Sequence, residues 1–402
     1  MKIGIVAGEA SGDLLASLLI QAIKSAYPHA EFIGIAGPKM QAAGATSLYA
    51  MDKLSVRGYI EVLKSYREIV GIRNGVRDYF LKNRPDFFIG IDAPDFNLGV
   101  ETALRAKGIP TIHYISPSIW AWRGERIHKI KKAVDLMLTV FPFEQKIYDA
   151  AGINSVYVGH PLADLAPATP QYLAARTQLR LPANSLQIAL LPGSRRTELD
   201  YHAELFIETA RLLLQQFPNA NFLVPLATRE TREQFDAMRW KLKANELPIQ
   251  VLFGHSHLAL SAADCALVAS GTATLEAALL RCPHAVAYRM SPTTFKMMKK
   301  KAYLPYVGLP NILAGEWTVP ELLQDDATAE NCAQVLGNYI NHKALREQLQ
   351  ERFADLHASL AVNNGKRVVN AISNFLQSHK LSSAKPAPSA PLQQTNHAAL
   401  RR

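Results

Sequence analysis

Short apolar runs alternate along the chain with longer segments in which apolar residues recur at helical spacing. The runs predict strands at residues 2–7, 31–36, 87–91, 111–115 and 136–140, and, after a pause, at 187–191, 222–225, 250–253, 265–269 and 285–288. Strands that alternate with helical segments are typical of parallel sheets covered by helices. The predicted fold class is therefore α/β, with two Rossmann-like domains that each contain a parallel sheet.

The pause in the pattern marks a domain boundary. It falls near Gly159, and the stretch 165–170 that follows is rich in Pro and Ala, as linkers are. We place the first domain at residues 1–165, the second at 166–345 and closing helices at 346–378. From residue 379 prolines are frequent and large apolar residues few, so the tail 379–402 is predicted to be disordered.

The net charge of the chain indicates which classes of partner it could bind, and its hydropathy indicates where in the cell it is expected. The 402 residues include 44 Lys and Arg against 34 Asp and Glu, a net charge of +10. This excess favours anionic partners: nucleotide phosphates, nucleic acid or an anionic membrane. No apolar run approaches the ~20 residues that span a bilayer. Glu9 and Asp13 interrupt what would be the apolar core of a signal peptide, so the expected location is the cytosol.

In open parallel sheets, ligands bind beyond the carboxyl ends of the strands, so the loops there are the candidate sites. The loop at residues 190–196 contains Gly193, Ser194 and Arg195. Glycine lets the backbone approach a ligand, the next helix directs free N–H groups at the loop, and arginine suits a diphosphate. We favour phosphate binding over an ordinary turn, because basic residues in such a loop have few structural uses.

A second glycine-rich turn, with Gly271 and Thr272, opens another predicted helix. Glu276 lacks the Ser or Thr three residues earlier that a capping box needs, because position 273 is Ala. It is therefore free to accept hydrogen bonds from sugar hydroxyls. The spacing fits equally well a solvated acid in the first helical turn, stabilised by the helix dipole.

Two carboxylates, Asp92 and Asp95, follow the buried run at 87–91. One could serve as a general base that activates an acceptor hydroxyl. The other could position that hydroxyl or cap a turn, which is the commoner role of Asp before Pro. The sequence does not assign the two roles.

Other motifs argue against a dinucleotide or metal site. The loop with Ser11 and Gly12 matches neither a Walker loop nor GxGxxG. Asp-x-Asp occurs nowhere in the chain, so no metal is expected at a nucleotide diphosphate, and no cofactor is expected. Arg195 and helix N-termini would supply the counter-charge instead.

Two segments bear on membrane contact. Residues 60–81 have the pattern of an amphipathic helix, with apolar Val62, Tyr66, Ile69, Val76 and Phe80 and basic Lys64, Arg67, Arg73 and Arg77. A helix packed on the sheet explains this pattern more simply. Residues 296–301 combine lysines with methionines and predict weak, reversible attachment to an anionic surface. No recognition motif accompanies them, so no nucleic-acid partner is expected.

Six blocks in order resemble the lipid-A-disaccharide synthase family: VAGEASGD, GIDAPDFN, HYISPSIWAWR, LPGSRRTE, ASGTATLEAAL and YVGLPNILAG. The resemblance runs from residue 1 to about residue 375. It implies a GT-B glycosyltransferase, whose two domains face across a cleft. The implied reaction moves 2,3-diacylglucosamine from UDP-2,3-diacylglucosamine to the 6-hydroxyl of 2,3-diacylglucosamine 1-phosphate, with inversion and without a metal. The products are UDP and the β(1→6) disaccharide of lipid A, the precursor of lipopolysaccharide.

The resemblance also implies residue roles. Asp95 matches the residue proposed as base in the family, and Arg195, Glu276 and Asn311 match UDP-contacting positions, whereas Tyr201 stands where some relatives have Met. Gly193, Ser194, Gly271 and Thr272 complete the donor side, and the acceptor side comprises Ser11, Gly12, Asp92 and Trp120. The family is peripheral on the cytoplasmic face of the inner membrane, which makes membrane lipids expected partners. Because both substrates of the family are acylated, the resemblance also favours a membrane-facing role for the helix that begins at Ile60. Some members of the family are domain-swapped dimers, so the resemblance is consistent with a homodimer.

Three alternatives remain open at this point. The first is another GT-B enzyme, such as a transferase that acts on a lipid-linked peptidoglycan precursor. The second is a UDP-sugar epimerase, which shares the fold but needs no lipid acceptor. The third is a nucleotide-binding or membrane-adaptor protein that turns over no UDP-sugar.

Overall fold

Parallel strands form the sheet of the first domain in the computed structural model, which describes residues 1–54 and 59–383. In chain order they are β1 (Lys2–Ala7), β2 (Glu31–Ile35), β3 (Ala45–Tyr49), β4 (Phe87–Ile91), β5 (Thr111–Tyr114), β6 (Leu136–Thr139) and β7 (Ser155–Tyr157). In space the order is β3-β2-β1-β4-β5-β6-β7, and every neighbouring pair is parallel.

The second domain repeats this arrangement with six parallel strands. They are β8 (Leu186–Leu191), β9 (Ala220–Leu226), β10 (Ile249–Phe253), β11 (Cys265–Val268), β12 (His284–Tyr288) and β13 (Glu321–Leu323). The order β10-β9-β8-β11-β12-β13 again places the first strand of the domain between the second and the fourth. This is the doubly wound order of Rossmann domains, so the prediction of two such domains is confirmed.

Helices connect the strands and cover the sheets. In the first domain they are α1 (Ala10–Ala26), α2 (Pro38–Ala42), α3 (Tyr59–Lys82), α4 (Pro94–Arg105), α5 (Ile127–Ala133), α6 (Glu144–Ala150) and α7 (Pro161–Leu165). The second domain contains α8 (Tyr172–Gln178), α9 (Arg196–Gln216), α10 (Arg229–Lys241), α11 (Ser256–Ala262), α12 (Thr272–Leu279), α13 (Pro292–Lys301), α14 (Leu309–Ala314) and α15 (Ala329–Asn341). Strand β4 is buried at every position, as expected of a parallel strand between two layers of helices.

The two C-terminal helices, α16 (Lys343–Leu360) and α17 (Asn364–Ser383), return to the first domain. The Asn364 amide donates to the Gly159 carbonyl at 2.8 Å, and the hydroxyls of Tyr27 and Ser373 lie 2.7 Å apart. These helices therefore tie the second domain to the first. The predicted end of the folded part at residue 378 is too early, because α17 continues to Ser383. Residues 384–402 of the predicted tail lie outside the described residues.

Helix α3 spans the predicted amphipathic segment. Its second half packs on the sheet, with Val76 and Phe80 buried in the core and Ile69 partly buried against it. Tyr66 is exposed, and the side chains of Val62 and Lys64 lie outside the described residues. The packed-helix interpretation is thus confirmed for the second half of α3. Within residues 1–54 and 59–383, no helix is both long enough and apolar enough to cross a bilayer.

Candidate functional site

Residues beyond the carboxyl ends of the two sheets meet between the domains, in the region that we call the cleft. Arg195, which follows β8, donates to Glu9, which follows β1, with 3.2 Å between Nη2 and Oε2. Tyr303, beyond β12, contacts the segment beyond β5, where its N–H donates to the Ala121 carbonyl at 2.9 Å and its hydroxyl accepts from the Gly124 N–H at 3.0 Å. Glu9 and Arg195 lie in two of the predicted loops, so these two loops of the different domains face one another.

The loop after β8 binds a carboxylate of the protein itself. Oε2 of Glu198 accepts the backbone N–H groups of Ser194, at 2.8 Å, and of Arg195, at 3.2 Å. Oε1 accepts from Arg195 Nη1 at 2.8 Å. Gly193 has φ +130°, and a Cβ there would lie 2.5 Å from the Glu198 Cβ, so the close approach requires glycine. The predicted loop therefore has anion-binding geometry.

His202, which the sequence analysis missed, fixes this loop. Its Nδ1 lies 3.0 Å from the Pro192 carbonyl, and its Nε2 accepts the Arg289 N–H at 2.9 Å. Burial lowers the pKa of His202, which keeps the imidazole neutral and allows it one donor and one acceptor. The side chain thus ties the loop to the end of β12. Tyr201, on the same turn of α9, is exposed.

The second predicted loop opens α12. Gly271 has φ +75°, a conformation that favours glycine, and Thr272 is the first helical residue. Glu276 lies in the second turn, where its Oε2 accepts from Ser256 Oγ at 3.2 Å. The alternative of a solvated first-turn acid is therefore wrong. Burial raises the pKa of Glu276, and electrostatic interaction with His257, the hydrogen bond from Ser256 and the charge of Lys39, on α2 of the first domain, oppose that shift.

Asn311 is fully hydrogen-bonded inside the protein. Its side-chain oxygen accepts the N–H groups of Thr318 and Val319, each at 2.8 Å. Its amide donates to the Val319 carbonyl at 2.9 Å and to Glu321 Oε1 at 2.7 Å. These bonds use both donors and both lone pairs of the amide. The buried side chain therefore has no group left for a nucleotide, so any contact that it makes with UDP would have to be indirect.

The turn after β4 is strained and projects Asp95 outwards. Asp92 and Ala93 both have φ 45°, in the left-handed region that residues with a Cβ rarely adopt. Asn97 holds the turn by donating to the Asp92 carbonyl at 2.9 Å. The Asp95 side chain, in the first turn of α4, is 82% exposed. Backbone strain of this kind concentrates at functional sites.

Two arginines that the sequence analysis missed contact Asp95. Arg126 Nη2 lies 2.6 Å from Oδ1 and 2.7 Å from Oδ2, and Arg123 Nη1 lies 3.9 Å from Oδ2. The guanidinium of Arg123 stacks on the Trp122 ring, 4.2 Å from its centroid. The only sequence signal for this cluster is the segment WAWRGER itself, in which aromatic and basic residues interleave.

Trp120 anchors the segment WAWRGER to the first domain. Its indole N–H donates to Glu144 Oε1 at 3.0 Å, and its ring packs edge-on against Phe143 with centroids 5.4 Å apart. Oε2 of Glu144 accepts the backbone N–H groups of Val140 and Phe141. Burial raises the pKa of Glu144 to about 7, although these hydrogen bonds oppose the shift. The indole N–H is thus already used within the protein.

Ser11 and Gly12 lie in the first turn of α1, which begins at Ala10, so the prediction that they form a loop is wrong. Asp13 accepts the backbone N–H groups of Lys39 and Met40, both at 2.9 Å, and so caps α2. This cap fixes Lys39, whose charge acts on Glu276. Among the described residues, no group of three His, Cys, Asp or Glu side chains is arranged to hold a metal ion.

Solved structures resemble the whole chain in fold. A UDP-GlcNAc 2-epimerase from Neisseria meningitidis bound to UDP-GlcNAc aligns with a TM-score of 0.64 at 14% identity, over 94% of this chain and 100% of its own. MurG from Acinetobacter baumannii aligns with a TM-score of 0.57 at 16% identity, over 93% and 99%. At such identities the likeness concerns the fold alone, which is the predicted GT-B architecture.

Sequence comparison is far more specific. The family model for lipid-A-disaccharide synthetase matches residues 3–372. The lipid-A-disaccharide synthase of Methylobacillus flagellatus is 51% identical over 375 residues, which cover 93% of this chain and 99% of the relative. That of Dechloromonas aromatica is 52% identical over 373 residues, with 92% and 98% covered. This chain belongs to the lipid-A-disaccharide synthase family, the glycosyltransferases that act in lipid A biosynthesis.

Proposed function

We propose that the protein transfers 2,3-diacylglucosamine from UDP-2,3-diacylglucosamine to the 6-hydroxyl of 2,3-diacylglucosamine 1-phosphate, in one displacement that inverts the anomeric centre. One observation supports the proposal: the exposed carboxylate of Asp95 follows a turn whose Ala93 lies beside Gly8, and the next residue, Glu9, pairs with Arg195 of the anion-binding loop in the other domain. A general base and a stabilised leaving group are what such a displacement needs.

The proposed displacement assigns a role to each side of the cleft. Asp95 accepts the proton as the acceptor oxygen bonds to the anomeric carbon. The bond from that carbon to the diphosphate breaks, and UDP leaves with the electron pair. Arg195 turns from Glu9 and Glu198 towards the diphosphate, which also displaces Glu198 from the Ser194 N–H, so that the backbone of Gly193 and Ser194 assists. Helix N-termini and guanidinium groups suit such an anion.

The remaining predicted residues surround these two centres. Gly271 and Thr272 open α12 towards the donor, and Glu276 accepts hydrogen bonds from donor hydroxyls. Tyr201 adds an exposed ring on α9, and Asn311 acts indirectly by holding α14. On the acceptor side, Ser11, Gly12 and Asp92 shape the floor of the cleft, and Trp120 supports the segment that carries the two arginines.

The acceptor dependence of UDP release tests this function. Given UDP-2,3-diacylglucosamine alone, the purified protein should release almost no UDP. Addition of 2,3-diacylglucosamine 1-phosphate should start release, whereas a lipid-linked peptidoglycan precursor should not. Epimerisation of the UDP-sugar without an acceptor would contradict the proposal and favour the epimerase alternative.

We propose further that the protein docks peripherally on the cytoplasmic face of the inner membrane, since both substrates are acylated. Helix α13 offers the surface for this contact. None of its residues is buried, it carries Lys296, Lys299, Lys300 and Lys301, and Met297, Met298 and nearby Tyr303 are exposed. Each lysine near an anionic surface contributes ~1 kcal/mol, so docking is weak unless apolar side chains also insert.

Replacing the four lysines of α13 by Gln should lower sedimentation with anionic vesicles by roughly tenfold or more, because their electrostatic attraction is lost. The measurement is the partition coefficient on phosphatidylglycerol-containing vesicles, with neutral vesicles for comparison. Replacing Lys107, Lys241, Lys243 and Lys343, four exposed lysines that lie outside α13, is the matched control. Equal binding by the two sets of variants would rule out α13 as the docking surface.

A further inference from the structure

The carboxylate proposed as the base is engaged by the protein in the absence of substrate. Both oxygens of Asp95 lie within 2.7 Å of Arg126 Nη2. To take a proton from an acceptor hydroxyl, at least one oxygen must turn away from this guanidinium. The ligand-free arrangement is therefore one in which the base is occupied.

The two sides of this ion pair differ in exposure. The side chain of Arg126 is 13% exposed and that of Arg123 is 36% exposed, whereas that of Asp95 is 82% exposed. Trp122 packs against both guanidinium groups, with distances of 4.2 Å and 5.9 Å to its ring centroid. The arginines are thus fixed in place, and Asp95 is the partner that can move.

Departure of Asp95 would leave partly buried positive charge without a counter-ion, which is costly. A second anion at the same place removes that cost. Guanidinium groups bind phosphate as they bind carboxylate, through parallel N–H donors. The acceptor of the proposed reaction brings such an anion, because it is a sugar phosphate.

We propose that Arg123 and Arg126 form the binding site for the phosphate monoester of the acceptor, and that phosphate binding releases Asp95 to act as the base. This inference rests on the proposed function. The phosphate takes over the guanidinium donors, Asp95 turns to the hydroxyl, and its oxygen receives the hydroxyl proton as the glycosidic bond forms. When no acceptor is bound, the ion pair with Arg126 keeps Asp95 occupied. Asp95 then cannot act as a base for water, which protects the donor from hydrolysis.

The test compares two acceptors on two proteins. The acceptors are 2,3-diacylglucosamine with and without its 1-phosphate, and the proteins are the wild type and Arg126→Gln. In the wild type, loss of the phosphate should lower kcat/KM for the acceptor by roughly 10- to 100-fold, as expected for charge-assisted hydrogen bonds. In Arg126→Gln the same loss should have little effect. Hydrolysis of the donor without acceptor should be faster than in the wild type.

Two further variants separate loss of the phosphate site from a general effect of removing an arginine. Arg84→Ala removes an exposed arginine that precedes β4, at the opposite edge of the sheet, and should behave as the wild type. Arg123→Gln, the more exposed of the pair, provides a second variant if Arg126→Gln does not fold. An equal phosphate effect in the wild type and in both variants would overturn the inference. Absence of transfer by the wild type to either acceptor would instead overturn the proposed function.

Discussion

Replacing Asp95 by Asn is expected to lower turnover by roughly 10²- to 10⁴-fold while UDP binds as tightly as in the wild type. The amide keeps the size of the carboxylate but cannot accept the hydroxyl proton. Asp95 belongs to the first domain, whereas the groups assigned to UDP lie in the second. The measurements are initial rates at saturating concentrations of both substrates and a calorimetric titration with UDP.

Asp78→Asn is the matched control for this change. Asp78 is also an exposed aspartate paired with an arginine, because Arg77 Nε lies 2.8 Å from its Oδ1. Its replacement should leave turnover unchanged, since Asp78 lies on α3 and has no role in the proposed displacement. Near-normal turnover by Asp95→Asn would remove Asp95 from the role of base.

Replacing Arg195 by Ala is expected to weaken UDP binding by roughly 10- to 100-fold, on the order of 1.5–3 kcal/mol for lost charge-assisted hydrogen bonds. The change also leaves Glu9 and Glu198 without their shared cation, which adds repulsion towards the diphosphate. Calorimetric titration with UDP measures the effect. Arg195→Lys should recover only part of the affinity, since lysine lacks the fork of donors.

Unchanged UDP affinity in Arg195→Ala would place the diphosphate elsewhere. Arg84→Ala serves again as the control, because it removes one positive charge from the first domain away from the cleft. The thermal unfolding midpoint of each variant should be recorded as well. It separates loss of a ligand contact from loss of the loop that Arg195 and Glu198 hold together.

The strand pattern was predictable wherever a strand is buried and apolar. β1, β4 and β8 are of this kind, and their predicted bounds agree with the structure to within a residue. β3, β7 and β13 were missed because they are short and half-buried, so no continuous apolar run marks them. The return of α17 to the first domain depends on contacts between residues far apart in sequence, which periodicity does not reveal.

The candidate loops were predictable for a related reason. Alternation of strands and helices fixes which loops lie beyond the carboxyl ends, and the structure places the loops after β1, β4 and β8 next to one another. The side-chain contacts inside the cleft were not predictable from the sequence. Arg126 with Asp95 and Glu144 with Trp120 join different strand-to-helix connections. The hydrogen bonds that Asn311 makes with residues 318–321 likewise depend on the path of the backbone, which a short sequence motif does not reveal.

The identity of the product tests the proposed transfer most directly. The purified protein is incubated with UDP-2,3-diacylglucosamine and 2,3-diacylglucosamine 1-phosphate, and the products are analysed by mass spectrometry and NMR. We predict UDP and a tetraacylated disaccharide 1-phosphate in equal amounts, with a β(1→6) linkage. A disaccharide with an α linkage would contradict the single displacement, and the absence of any disaccharide would contradict the proposed function.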